Sequence, residues 1–406
     1  MRTHPILASL RKHRIPAILI VLEIALACAV FCNAVFMISQ RVAEIHLPNA
    51  MDEQGVSVVS VRGTDPAHAG ADMPRDLAAL REIPGVRAAA AINALPLDGN
   101  GWNSNIATGT GQLLQNSSPN VSTYLFTRGG PEALGLRLLH GRFFDDGEYA
   151  DGQVGSNYLP TGHAVLMTQS LARRMWPDQS ALGKQIWIGD EANYTVVGVI
   201  ADVLRPAKNG QGLTGFDWAI FFPVAPHAIL DHYVVRSSPR DSARIARQAV
   251  AKIVSLSPNA VVAGKPFTAI RHAFFDDARS MVWMLMLVCV VMLAVTAFGI
   301  VGLTSFWVRQ RRRQIGVRRA VGATRNQILR YFQAENFLLT TAGVGIGLVL
   351  AFGINLYLMQ HYPLNRMPWY YLPISAGALW VLGQLAVLGP ALRASNVPPV
   401  VATRGV

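Results

Sequence analysis

Charge is scarce in this 406-residue chain: Asp, Glu, Lys and Arg make up 15% of it, where a soluble domain carries about a quarter. Cysteine is scarcer. Cys28, Cys32 and Cys289 all lie in apolar runs, and residues 46–279 contain none. That excludes a disulfide framework and a cysteine zinc site over this long stretch, whose stability must come from its own core. The three thiols read as small apolar packing residues. Acidic residues are missing where basic ones crowd. Residues 1–14 hold four Lys/Arg, 308–330 hold eight and 391–406 hold two, with no Asp or Glu among them.

Catalytic patterns are missing as well. There is no HExxH and no GxSxG, which argues against a zinc protease or a serine hydrolase. A phosphate-cradling Walker A loop needs GxxxxGK followed by Ser or Thr. The two Gly-Lys pairs, Gly183-Lys184 and Gly264-Lys265, lack both the upstream glycine and the following hydroxyl. Asp145, Asp146, Glu148 and Asp151 cluster in "FFDDGEYADG" without the spacing of an EF-hand, and read as a solvated acidic turn. His227 and His232 are five apart and share no common face. The chain is therefore expected to be no enzyme and to bind no metal or cofactor of its own.

What is present is apolar sequence. Four runs, about 15–38, 281–307, 337–359 and 374–392, are long and nearly uncharged. A bilayer core is about 30 Å thick and takes about 20 apolar residues in a helix. The first run is too long for a secretory h-region and no small-x-small site follows it, so it reads as an uncleaved anchor. The basic segments flank these runs, while residues 46–279 carry 20 Lys/Arg against 21 Asp/Glu. By the positive-inside rule, the segments expected in the cytoplasm are 1–14, 309–330 and 393–406. Transmembrane helices are expected at 15–40, 280–308, 331–360 and 374–392, with an extracytoplasmic domain at 41–279 and a short outer loop at 361–373. The fold expected is an α-helical membrane domain of four transmembrane helices with a large α+β extracytoplasmic domain inserted between helices 1 and 2. A run of arginines between two membrane helices, without a folded module or aromatic platform, excludes nucleic acid as a partner; membrane lipid takes its place.

The 41–279 region alternates strand and helix signals. "GVSVVSVRG" (55–63), "AVLMT" (164–168), "QIWIG" (185–189), "YTVVGVIAD" (194–202), "WAIFFPV" (218–224) and "HYVVRS" (232–237) read as strands. Helices are expected at 73–86, where Pro74 stands near the start and Pro84-Gly85 at the end, at 169–175, and at 242–256 with Ile245, Ala249, Ile253 and Leu256 on one face. "GNGWNSNIATGTGQLLQNSSPN" (99–120) is rich in Gly, Asn and Ser and reads as a surface loop or hairpin tip. Residues 267–283 contain no Gly or Pro after Pro266, as a rigid stalk into the membrane would require.

The basic stretch 308–330 has internal order. Arg309, Arg311, Arg312 and Arg313 end an apolar helix, where they complement its dipole and meet lipid headgroups. An apolar stripe, Val317, Val321, Ile328 and Phe332, persists through the arginines. Gly322-Ala323 marks a turn, and Thr324 followed by Gln327 is a capping box that opens a new helix. A short amphipathic helix at about 314–321 is expected. Within the membrane runs, Glu23 would cost roughly 2.5–3.5 kcal/mol at a helix centre, so a pairing, protonation or relay role is open for it. Asn33 reads as an interhelical hydrogen bond, and Gly343/Gly347 as a close helix contact that could also serve dimerisation.

"RQRRRQIGVRRAVGATRNQILRYFQAENFLLTTAGVGIGLVLA" resembles the signature of MacB/FtsX-type ABC transporter permeases, in which a basic R-E-I-G-x-R-x-A-x-G-A segment joins the second and third membrane helices. Arg313, Gln314, Ile315, Gly316, Arg318, Ala320, Gly322 and Ala323 stand at the matching positions, with Gln314 where the family usually has an acid. "HGRFFDDGE", "AVLMTQSLARRMWPDQSALGKQIWIG" and "YTVVGVIADV" resemble the family's extracytoplasmic domain, and "GPALRASNVPPVVATR" its C-terminal tail with Pro398 one place early.

The resemblance implies a bacterial inner-membrane permease with both termini cytoplasmic. It would work as a pair, with a second copy or a paralogue, and a periplasmic adaptor would be a further candidate partner. A separate ABC ATPase subunit, using ATP and Mg, would dock on the short cytosolic helix, and its motion would be passed to the outer domain for export or extraction of a substrate. The coupling residues so implied are Arg313, Gln314, Ile315, Gly316, Val317, Arg318, Arg319, Ala320, Val321, Gly322 and Ala323, with Ile315, Gly316, Val317 and Val321 meeting the ATPase. The alternative is a non-transporting regulator that activates an envelope hydrolase or signals envelope stress.

Overall fold

The structure is a computed structural model that describes residues 14–109, 118–155, 158–189, 192–207, 214–361 and 366–396. It divides into two compact units, one of residues 1–46 with 277–406 and one of residues 47–276. In chain order the elements are α1 (Arg14–Ile45), β1 (Val56–Arg62), α2 (Ala69–Arg81), β2 (Ala88–Ile92), β3 (Trp102–Ala107), β4 (Asn120–Phe126), α3 (Gly130–Leu134), β5 (Leu138–Gly141) and α4 (Asp146–Asp151). There follow β6 (Ala164–Thr168), α5 (Gln169–Met175), β7 (Gln185–Ile188), β8 (Ala192–Ile200), β9 (Ala219–Pro223), β10 (His232–Arg236), α6 (Ser242–Leu256), β11 (Val261–Pro266) and α7 (Phe267–Phe274). The chain ends in α8 (Asp276–Gln310), α9 (Arg312–Ala320), α10 (Arg325–His361) and α11 (Tyr371–Ser395).

The unit of residues 47–276 is α+β, built on one 11-stranded sheet. Strands β11, β1, β10 and β2 lie side by side in that order, all antiparallel and joined by crossovers. α6 lies on this part because Ile245, Ala249 and Ile253, on one helical face, pack into the same core as Val59 and Val235. The remaining strands curl. β3 pairs with β4 and β7, β8 with β7 and β6, and β9 with β6 and, in parallel, with β4. These pairings close a ring of six strands, which leaves no free edges within it. Tyr124 and Phe221, stacked at 4.7 Å between centroids, lie fully buried there.

Several expectations change in this unit. Residues 102–107 form a strand and not a loop. Their Asn and Ser side chains, which read as turn chemistry, instead bond across strands around a buried guanidinium. Arg205 donates to Asn103 Oδ1 (2.7 Å), Asn120 Oδ1 (2.8 Å) and Ser122 Oγ (2.9 Å). Trp102 packs edge-on against Tyr158. Residues 110–117 lie outside the described residues. The acidic turn is the short helix α4, fixed by Arg142, whose bonds to Glu148 hold that carboxyl below its usual pKa range. α2 starts four residues before the expected position and carries Pro74 inside it. The proposed stalk is interrupted: α7 stops at Phe274, Phe275 takes φ −99° and ψ 7°, and α8 begins at Asp276. A buried aromatic rather than a Gly or Pro marks the break, and Asp276 and Asp277 supply the acidic first turn that a new helix favours.

The other unit holds α1, α8, α10 and α11. These four helices, of 32, 35, 37 and 25 residues, are long and apolar enough to cross a membrane. α10 packs on α1 through Gly343 and Gly347. A Cβ at Gly343 would stand 2.8 Å from Ile24 Cβ, and one at Gly347 2.5 Å from Cys28 Cβ. The GxxxG face is therefore the close helix contact expected of it, made within the chain and so not free for dimerisation. On α11, Gly383 O accepts from Asn336 Nδ2 of α10 at 2.9 Å. Asn33 of α1 donates to Ala351 O of α10 at 3.2 Å as well as to its own helix at Ala29 O. The half-buried Glu23 carboxylate lies where a Cβ at Gly299 of α8 would stand. Trp283, Leu287, Val290 and Phe298 of α8 are exposed, the surface that lipid covers in a membrane helix.

Candidate coupling site

The stretch from Arg309 to Arg330 makes a corner, a short helix, a turn and a second start. α8 ends at Gln310, and Arg311 is the hinge residue. Its N–H donates to Trp307 O (3.0 Å), the last bond of α8, and its carbonyl accepts from Ile315 N (2.9 Å), the first of α9. α9 then runs from Arg312 to Ala320. It stops in a Schellman arrangement: Gly322, at φ +100°, donates to Arg319 O (3.1 Å) and Ala323 to Arg318 O (3.0 Å). Thr324 and Gln327 form a reciprocal capping box, with Thr324 N donating to Gln327 Oε1 (3.0 Å) and Gln327 N to Thr324 Oγ1 (3.3 Å).

α9 is held on its inner side at three places. Ile315 and Gly316 are buried, Ile315 in the same core as Ile328 and Phe332. The Arg318 guanidinium lies 5.1 Å above the ring of Tyr331. Arg319 Nη1 donates at 2.9 Å to Ser395 O, one of the last carbonyls of α11, where a cation also meets the negative helix end. The outer side shows Arg312, Arg313, Gln314, Val317, Ala320 and Val321, with Val317 48% and Val321 83% exposed. Gln314 has no hydrogen-bond partner among the described residues.

Two expectations are corrected by this geometry. The apolar stripe divides: Ile328 and Phe332 are core, whereas Val317 and Val321 are surface. Ile315 and Gly316 pack inward, so of the four residues expected to meet a partner only Val317 and Val321 are available. Arg311 is also not a headgroup residue. It is 9% exposed, and its Nη1 lies 3.1 and 3.2 Å from the two oxygens of Glu335 on α10. The Trp307 ring stacks beneath it at 5.7 Å. Arg311 Nη2 and Trp307 Nε1 are buried without an acceptor among the described residues, each at a cost of about 1–3 kcal/mol.

Sequence reasoning missed Glu335. The signal was its isolation: it is the sole Asp or Glu after Asp277. A lone carboxyl at the edge of an apolar run calls for a cation, and the arginines 5 to 26 positions upstream gave no spacing by which to choose one.

Two family models match the chain: the MacB-like periplasmic core domain over residues 24–256 and the FtsX-like permease C-terminal region over residues 286–399. Among similar curated proteins, the macrolide export ATP-binding/permease protein MacB of Chromobacterium violaceum is 25% identical over 67% of this chain and 42% of that one. Its counterpart in Bdellovibrio bacteriovorus is 26% identical over 66% of this chain and 41% of that one. The chain thus spans about two fifths of the length of these relatives. The crystal structure of the periplasmic region of MacB from Actinobacillus actinomycetemcomitans aligns over 54% of this chain and 92% of that one, at 12% identity and a TM-score of 0.37.

Proposed function

The chain belongs to the family of MacB/FtsX-type ABC transporter permeases, and from that premise we propose that it converts ATP-driven motion of a separate ABC ATPase into movement of its α+β domain. α9 is the docking element. The observation that carries this reading is its two-sidedness. The inner face is tied to α8, α10 and α11, while the outer face shows arginines, Gln314 and two exposed valines with no acid among them. A helix so anchored passes a push from outside into the helices behind it. An apolar spot ringed by guanidinia fits a groove with an apolar floor and an acidic rim.

In this reading α9, both termini and the basic segments face the cytoplasm, and residues 47–276 face the periplasm. The permease acts as a pair, with ATP and Mg held by the ATPase. The substrate is moved or extracted on the outer side, since the described helices offer few polar groups for a solute path.

The test is photo-crosslinking from p-benzoylphenylalanine at position 317 or 321 of the full chain in its native membranes. An adduct with a polypeptide carrying a Walker A motif supports the reading. Reversing Arg312 and Arg313 to Glu should abolish that adduct. An unchanged adduct pattern after reversal, or adducts with lipid alone, counts against it.

A further inference from the structure

We propose that Arg311 and Glu335 are positioning residues: a buried latch that fixes the α8–α9 corner to α10, so that α9 cannot shift without carrying α10 with it. The proposal rests on the coupling role given to α9 above, but its geometry stands on its own.

Arg311 is the joint itself. Its backbone closes α8 with one hydrogen bond and opens α9 with another, and it adopts φ −99° and ψ 10° between the two helices. Any change in the angle between α8 and α9 passes through this residue. Its side chain reaches Glu335 of α10, which is 2% exposed. Coulombic attraction is strong in such a setting, and a buried charge left without its partner is costly. The ion pair therefore ties the joint to α10 more firmly than a surface pair would. Ile315 and the Arg318–Tyr331 contact hold the rest of α9 to α10, but one is apolar and the other exposed.

The latch also has an unused donor. Arg311 offers Glu335 a single nitrogen, Nη1, and not the two parallel donors of a fork. Nη2 is buried and without an acceptor, as is Trp307 Nε1 beside it. A void of about 10 Å³ lies among Ile20, Thr304, Trp307, Phe332, Glu335 and Asn336.

The experiment is hydrogen–deuterium exchange of the full chain in nanodiscs of phosphatidylethanolamine and phosphatidylglycerol. Glu335→Gln removes the charge and keeps the shape. It is expected to speed amide exchange over 312–320 at least tenfold, with 343–355 unchanged within twofold. The swap Arg311→Glu with Glu335→Arg is expected to bring exchange over 312–320 back to within threefold of the natural chain. Exchange over 312–320 within twofold of the natural chain in Glu335→Gln overturns the proposal. So does a swap as loose as the single variant. Loss of the folded chain in Glu335→Gln that the swap does not rescue also overturns it, since the carboxylate would then serve the fold alone. No ATPase is needed for this readout, so it succeeds or fails separately from crosslinking at position 317.

Discussion

Arg311 Nη1 lies 3.1 Å from Glu335 Oε1 and 3.2 Å from Oε2, across 24 residues that include a whole helix and a turn. Seven neighbouring arginines share the basic stretch and six of them are exposed, whereas Arg311 is turned inward to a carboxylate. The distinction separates α9 into a side that holds and a side that is offered.

The turn after α9 can be tested at Gly322. At φ +100° a side chain is strained, and the Schellman bonds to Arg318 O and Arg319 O depend on that backbone. Gly322→Ala is expected to cost about 1 kcal/mol locally. Gly322→Val should cost more, as a β-branched residue at positive φ. Faster amide exchange at 322 and 323, with helix content unchanged by circular dichroism, is the expected result.

Close packing of α1 on α10 is tested at Gly347. Its Cβ position is 2.5 Å from Cys28 Cβ, so Gly347→Leu forces the helices apart. A loss of about 1–3 kcal/mol is expected from overpacking, read as a lower midpoint in detergent-driven unfolding. Gly353→Leu, where nothing lies within 4 Å of the added atom, serves as the control and should leave the midpoint unchanged.

Arg205 is a buried cation held by Asn103, Asn120, Ser122 and backbone carbonyls. Burial lowers its pKa. Arg205→Ala orphans these acceptors on β3 and β4 and should destabilise the α+β unit by on the order of 3 kcal/mol. Urea unfolding followed by tryptophan fluorescence measures this. Arg205→Lys cannot reach all the acceptors and should recover only part of the loss.

His232 gives the unit a pH dependence. Its side chain is 8% exposed, between Asp231 on Nδ1 and Asp98 at 3.5 Å from Nε2, and Lys265 lies 3.9 Å from the same Asp98. Burial alone would lower its pKa, but the two carboxylates outweigh that and push it up to about 9 from 6.5. The folded state thus binds the proton more tightly than the unfolded one. The stabilisation is complete below about 6.5 and is lost as pH rises through about 9. A fall on the order of 1–3 kcal/mol across that window is expected, and His232→Gln should flatten it. Equal slopes in both chains would rule His232 out as the source.

The strands with clear valine and aromatic runs were legible because those runs are buried almost throughout, and helix α6 because its apolar residues keep one helical face. β3 was not legible, because Asn103 serves Arg205, a partner a hundred positions away, while Ser104 and Asn105 bond across to Thr123 and Asn120. The interrupted stalk was hidden for a related reason. The break falls at the buried Phe275, with no Gly or Pro beside it to mark it in the sequence.

The sequence by itself determined the four long apolar helices, the basic segments beside them, the turn at Gly322 and the cap at Thr324. All of these follow from composition, period or contacts within a few residues. Tertiary structure alone decided which arginine is buried, which half of the apolar stripe is core, and that Gly343 and Gly347 are covered by α1. Those outcomes depend on which faces meet when helices far apart in the chain pack together, and a local pattern carries no record of the facing partner.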